Sequence, residues 1–192
     1  MLSILYHNYR RKEMWGVTKP DLFKHNAFKQ LPESKRKQIK LVWGHIPFKT
    51  HEYLDSPGDW KYITMLRDPV KRVISQFKHI HRFPDHYLHD KVVKAGMSLE
   101  DYAASNLSGE ISNAQTRMII GQPQRALTDQ DLEQAKQNLS EKFVFVGVSE
   151  RFDESMVLLK KKLELKSVGY YRKNVTANDL DVEVTESIRE VI

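Results

Sequence analysis

The run from Tyr62 to Ser75, Tyr-Ile-Thr-Met-Leu-Arg-Asp-Pro-Val-Lys-Arg-Val-Ile-Ser, reads as a buried strand passing directly into a helix. Its first five residues are apolar or β-prone, and Pro69 suits the first helical turn, where a missing N–H costs nothing. A strand that feeds a helix without a hairpin between them is the unit of α/β architecture. Residues 143–148 form a second apolar strand, followed over 150–163 by a helical stretch with Phe152, Met156, Leu159 and Leu163 on one face. Residues 39–43 are a shorter strand candidate that ends at Gly44-His45-Ile46-Pro47-Phe48. Strands separated by helices predict an α/β fold with a mainly parallel sheet flanked by helices.

Further helices are expected over 69–81, 98–105, 112–120 and 128–139. Two of them have strong starts, because Ser98 and Thr128 each stand three residues before an aspartate, as in a capping box. Leu2, Leu5, Tyr6 and Tyr9 fall at i, i+3, i+4 and i+7, the stripe of an amphipathic helix at the start of the chain. Residues 21–30 and 34–38 read as short basic helical pieces, and Ser56-Pro57-Gly58-Asp59 as a turn. Residues 81–90 show no regular pattern. At 192 residues, with no repeats or linker-like tracts, the chain is expected to form a single domain over 1–192.

Composition narrows the chemistry. With no cysteine, disulfides, thiol catalysis and cysteine-ligated zinc are excluded. His79, His81, His86 and His89 are close in sequence but lack a helical ligand spacing with a carboxylate, so no metal site is expected. The formal charge of +6 favours anionic partners. Nucleic acid is not the expected one, because the basic 24–40 stretch lacks the interleaved aromatics of a stacking platform. No apolar run is long enough to span a bilayer and no secretion leader is visible. These features predict a cytoplasmic location in a bacterial setting, and a Golgi lumen only if an anchor precedes the sequence.

In parallel α/β sheets, ligands gather beyond the carboxyl ends of the strands. Two predicted strands end there in reactive groups, one at His45 and one at Arg67. Arg67 at the strand rim, with Arg72 and Ser75 on the following helix, could hold one phosphate near the helix N-terminus. Arg67 could instead pair with a carboxylate, and Arg72 could support the phosphate or form a surface ion pair. His45 could take a proton near neutral pH from an acceptor hydroxyl, or cap a strand end against a backbone carbonyl.

The order of motifs is informative. Gly44-His45-Ile46-Pro47-Phe48, then Leu66-Arg67-Asp68-Pro69-Val70 with Arg72-Val73-Ile74-Ser75, then Asn113-Ala114-Gln115-Thr116-Arg117-Met118, then residues 145–155 and Lys173-Asn174-Val175-Thr176 resemble the carbohydrate sulfotransferases. That family includes the heparan sulfate 2-O- and 6-O-sulfotransferases and bacterial relatives. The resemblance implies a P-loop-NTPase-like sulfotransferase fold and transfer of a sulfuryl group from 3′-phosphoadenosine-5′-phosphosulfate to a carbohydrate hydroxyl, with no metal. It implies that Arg67 and Ser75, supported by Arg72, bind the 3′-phosphate, that Lys173 lies near the donor, and that His45 is the general base. It further implies that Asn113, Gln115 and Arg117 recognise the glycan, Asn113 and Arg117 sharing a helix face. A purely structural role is open for at least one of these three.

The chain departs from that family at its start. Relatives open with a strand and a Pro-Lys-x-Gly-x-Thr/Ser loop that holds the phosphosulfate. Here Lys19-Pro20 is reversed and no G-x-x-x-x-G-K-[ST] occurs, so the fold is expected to lack the first strand and that loop. The expectation that follows is an N-terminally truncated member, with a catalytically impaired nucleotide- or glycan-binding module as the alternative.

Overall fold

The structure, a computed structural model, describes residues 2–17, 28–54, 59–121, 125–170 and 184–191. In chain order these form α1 (Leu2–Asn8), a 3-10 turn (Arg11–Glu13), β1 (Met14–Val17), α2 (Glu33–Arg36), β2 (Leu41–Gly44), a 3-10 turn (Thr50–Tyr53) and β3 (Tyr62–Leu66). There follow α3 (Pro69–Arg82), a π-helical turn (Asp90–Lys94), α4 (Leu99–Ala104), α5 (Ala114–Ile120), α6 (Asp129–Glu141), β4 (Phe143–Val148), α7 (Phe152–Leu163) and α8 (Glu186–Val191). The architecture is mixed α/β, with helices flanking parallel strands. The predicted turn at 56–59 lies almost wholly outside the described residues, as does most of the predicted helical piece at 21–30.

The chain groups into two compact units. The first comprises residues 1–66 and 115–172 and holds all the described strands. They form two separate two-stranded parallel sheets where one larger sheet was expected: β1 pairs with β2 from Met14↔Leu41 to Val17↔Gly44, and β3 pairs with β4 from Tyr62↔Phe143 to Leu66↔Val148. β1 escaped the sequence reading because its four residues, Met-Trp-Gly-Val, are too few to show alternation. Gly16 makes room for the facing strand's Trp43, whose ring would have to shift to admit a Cβ 2.5 Å away.

Ile4, Phe145, Met156, Leu159 and Leu165 form this unit's apolar cluster, with Tyr9, Ile63, Met65, Phe152 and Leu163 packed around it. The stripe expected on α7 is the one observed. On α1 the inward residues are Ile4 and Leu5, whereas Tyr6 is 55% exposed, a correction to the expected stripe. Seven residues span barely two turns, so contact with β4 and α7, not periodicity, sets which face turns inward. Asn8 closes α1: its amide donates to the carbonyls of Ile4 and Ser167, both at 2.7 Å, and accepts from the Lys166 and Ser167 N–H groups at 2.7 and 3.2 Å. At the start of β3, Tyr62 Oη lies 2.6 Å from His51 Nδ1 and accepts the His51 N–H at 3.2 Å, fastening the Thr50–Tyr53 turn.

The second unit comprises residues 67–114 and 173–192, and its described elements are helical. Val73, Phe77 and Ile80 of α3 meet Leu88, Val92, Leu99, Tyr102, Ala103, Ile111 and Ile188 in one cluster. Pro69 opens α3 at N1 as expected, and Asp68 caps it by accepting the Lys71 N–H at 2.9 Å. The Ser98 box is present: Ser98 Oγ accepts the Asp101 N–H at 3.0 Å and Asp101 Oδ2 accepts the Ser98 N–H at 3.1 Å.

Candidate functional site

The placement of His45 starts with Gly44. At the end of β2, Gly44 takes φ = +130°, and a Cβ there would lie 2.0 Å from the Val17 carbonyl oxygen at the end of β1. Only glycine permits that approach. The chain then turns so that the His45 N–H donates to Val17 O at 3.2 Å, and His45 itself is exposed at the C-terminal rim of the β1–β2 pair. Its imidazole makes no hydrogen bond among the described residues.

Arg67 follows β3 and is exposed; Arg72 and Ser75 are half-buried on α3. Arg72 donates to the backbone carbonyl of Glu110, and the neighbouring Gln76 donates to the Glu110 carboxylate. Burial pushes the Arg72 guanidinium below its usual range; Glu110 and Tyr102 oppose the shift and the positive charge of Arg67 adds to it. Arg72 remains charged at neutral pH, because an arginine titrates far above it. No carboxylate forms an ion pair with it among the described residues, so a half-covered cation stands in the field of a second one. Ser75, three residues on and therefore on an adjacent part of the helix surface, makes no hydrogen bond through its hydroxyl among the described residues.

The helix end differs from the sequence expectation in one respect. Asp68 already occupies the α3 N-terminus with its own carboxylate and takes the Lys71 N–H. Attraction for an anion therefore comes from the arginine side chains of this segment more than from the dipole of the helix. Gln76 and Glu110 are further polar neighbours of Arg72. Gln76, four residues along the same helix, could have been read from the spacing, whereas Glu110 is brought in only by packing of the 105–113 loop.

Asn113 is exposed and left-handed (φ = +53°), immediately before α5. Gln115 and Arg117 are half-buried on α5, and Arg117 donates to the Arg125 carbonyl at 2.7 Å, which gives this guanidinium a structural tether. Arg125 in turn forms a two-pronged ion pair with Asp131, at 2.6 and 2.7 Å. His45, Gln115 and Arg117 belong to the first unit, and Arg67, Arg72, Ser75 and Asn113 to the second. Lys173 lies outside the described residues.

No group of three or more His, Asp or Glu residues among the described residues is placed to share a metal ion. No described helix is long and apolar enough to cross a membrane. No family model matches the sequence, and no curated protein matches it significantly.

Proposed function

We propose that this chain is a sulfotransferase-type domain that binds 3′-phosphoadenosine-5′-phosphosulfate and transfers its sulfuryl group to a carbohydrate hydroxyl. The observation that carries the reading is the Arg67–Arg72 pair. Arg72 is half-buried with its guanidinium on a neutral carbonyl, and desolvation, only partly opposed by Glu110, disfavours its charge, with a small further contribution from Arg67. A dianionic phosphate would stabilise that desolvated cation, and the Ser75 hydroxyl offers it a further hydrogen bond. The order of the Gly-His-Ile-Pro-Phe, Arg-Asp-Pro, Asn-Ala-Gln-Thr-Arg and Lys-Asn-Val-Thr segments agrees with that role. The architecture proposed with it is a P-loop-NTPase-like sulfotransferase fold.

In the reaction the acceptor oxygen attacks sulfur and its proton passes to His45. The new S–O bond forms as the bond from sulfur to the donor's phosphate oxygen breaks, and adenosine 3′,5′-bisphosphate departs. General-base assistance of this kind contributes about 10²–10⁴-fold in rate. Asn113, Gln115 and Arg117 are the proposed acceptor contacts, and Lys173 a donor contact. The absence of a Gly-Lys phosphate loop from the sequence favours a second reading, a module that binds nucleotide or glycan without turnover.

Calorimetric titration with adenosine 3′,5′-bisphosphate, together with a labelled-sulfate transfer assay, tests both. Arg67→Ala and Ser75→Ala are expected to weaken the nucleotide, the arginine change more. His45→Ala is expected to abolish transfer while leaving nucleotide affinity intact. Nucleotide binding without transfer by the parent chain selects the module. Absence of nucleotide binding overturns both donor assignments.

A further inference from the structure

The second unit also carries a surface that the reaction above leaves without a role. Four rings run in sequence across the end of α3 and the turn after it. Phe83 lies 4.4 Å from His79 between centroids, His79 meets His86 edge-to-face at 5.6 Å, and His86 stacks on Tyr87 at 4.7 Å with 29° between planes. Three of these rings are exposed, His79, Phe83 at 42% and Tyr87 at 66%. Phe83 and Tyr87 stand at the two ends of the ladder, and a run of exposed rings of this kind marks a binding surface.

The turn that presents them is firmly held. The His86 N–H donates to Phe83 O at 2.9 Å, the His89 N–H to His86 O at 2.8 Å, and the Leu88 N–H to His86 Nδ1 at 3.2 Å. Leu88 itself is 1% exposed and sits in the apolar cluster. Rings fixed in this way lose little further freedom when a ligand covers them.

We propose that the Phe83–His79–His86–Tyr87 ladder is a stacking platform for pyranose rings of the carbohydrate acceptor, one at Tyr87 and another at Phe83, an assignment that rests on the reaction proposed above. Tyr87 stays 66% exposed although His86 stacks on it. One face of a pyranose is a patch of C–H groups with slight positive charge, which suits the electron-rich face of an aromatic ring. Because His86 Nδ1 accepts the Leu88 N–H, its ring hydrogen is on Nε2, available to a sugar hydroxyl. Lys78, His79 and Arg82 on the last turns of α3 are at least partly exposed and complement a uronic acid carboxylate.

The test titrates an unsulfated glucuronic acid–N-acetylglucosamine hexasaccharide into the full chain at fixed ionic strength. Tyr87→Ala and Phe83→Ala are each expected to weaken binding about tenfold, the scale of one aromatic contact. Tyr87→Phe is expected to keep most of the affinity. In the transfer assay the two alanine variants raise the acceptor KM and spare kcat. Parent-like hexasaccharide affinity in both alanine variants overturns the platform, even if sulfuryl transfer is found. Tyr87-dependent binding without any transfer keeps the platform and removes the catalytic reading. Tighter binding of an oligoadenylate than of the hexasaccharide to the same rings overturns the sugar assignment.

Discussion

Single residues decide the local geometry at two places. Gly44 is compelled by a backbone contact, since any side chain meets the Val17 carbonyl at 2.0 Å in a positive-φ conformation. Gly44→Ala is therefore expected to cost at least about 1–3 kcal/mol, read as a lowered urea midpoint, and to displace His45. A substitution that leaves the midpoint unchanged contradicts the contact. Tyr102 presents the opposite case: it is fully buried, and its hydroxyl has no hydrogen-bond partner among the described residues. Burial, reinforced by Glu110, pushes its phenol well above the usual range. Tyr102→Phe removes an unpaired polar group and is expected to stabilise the fold by up to about 1–3 kcal/mol. Destabilisation on that change would show that the hydroxyl is paired in solution.

At the scale of elements, caps and clasps matter more than intrinsic helix preference, because the helices are short. α1 has seven residues and α4 six, lengths that are marginal as isolated helices in water. Asn8 joins the end of α1 to the segment after α7 by three hydrogen bonds, and a fourth, to Ile4 O, closes the helix itself, so both ends of its amide are used. Asn8→Asp turns two attractive contacts into carboxylate–carbonyl repulsions. It is expected to lower stability by more than Asn8→Ala, with amide exchange in α1 accelerating ahead of that in β4. Ser98→Ala removes half of a complete capping box and is expected to cost about 0.5–2 kcal/mol, visible as a loss of thermal stability; an unchanged Tm would mean that α4 is held by its buried Leu99 and Tyr102 alone.

Across the whole molecule, pH acts at separate places. His86 is held below its ordinary value of 6.5 by burial and then by the neighbouring His79, with His89 acting the same way and Glu110 opposing them. The folded state then binds the proton less readily than the unfolded chain. Stability is full above about pH 6.5 and declines as pH falls through the depressed value. Asp131 behaves likewise at lower pH: Arg125 and the Thr128 N–H hold its carboxyl far below 3.8, so its contribution is present above that value and is lost as pH falls further. Tm measured against pH is expected to fall in two steps, the first flattened by His86→Gln and the second by Asp131→Asn. A single step, or insensitivity to either substitution, contradicts the corresponding assignment.

Much of the molecule is legible in its sequence. β3, β4, the face of α7, Pro69 at the head of α3 and the Ser98 box follow from apolar periodicity, proline geometry and cap chemistry, all interactions between near neighbours in the chain. Those local rules determine which segments are helix or strand, and they bring Arg67, Arg72 and Ser75 onto one strand–helix junction. What they cannot carry is information about residues distant in sequence. The brief β1, the division of the strands into two pairs, the carbonyl of Glu110 under Arg72, the tether from Arg117 to Arg125 and the ladder from Phe83 to Tyr87 were decided by tertiary packing. There a side chain's partner depends on which surfaces must leave water together, not on its spacing along the chain.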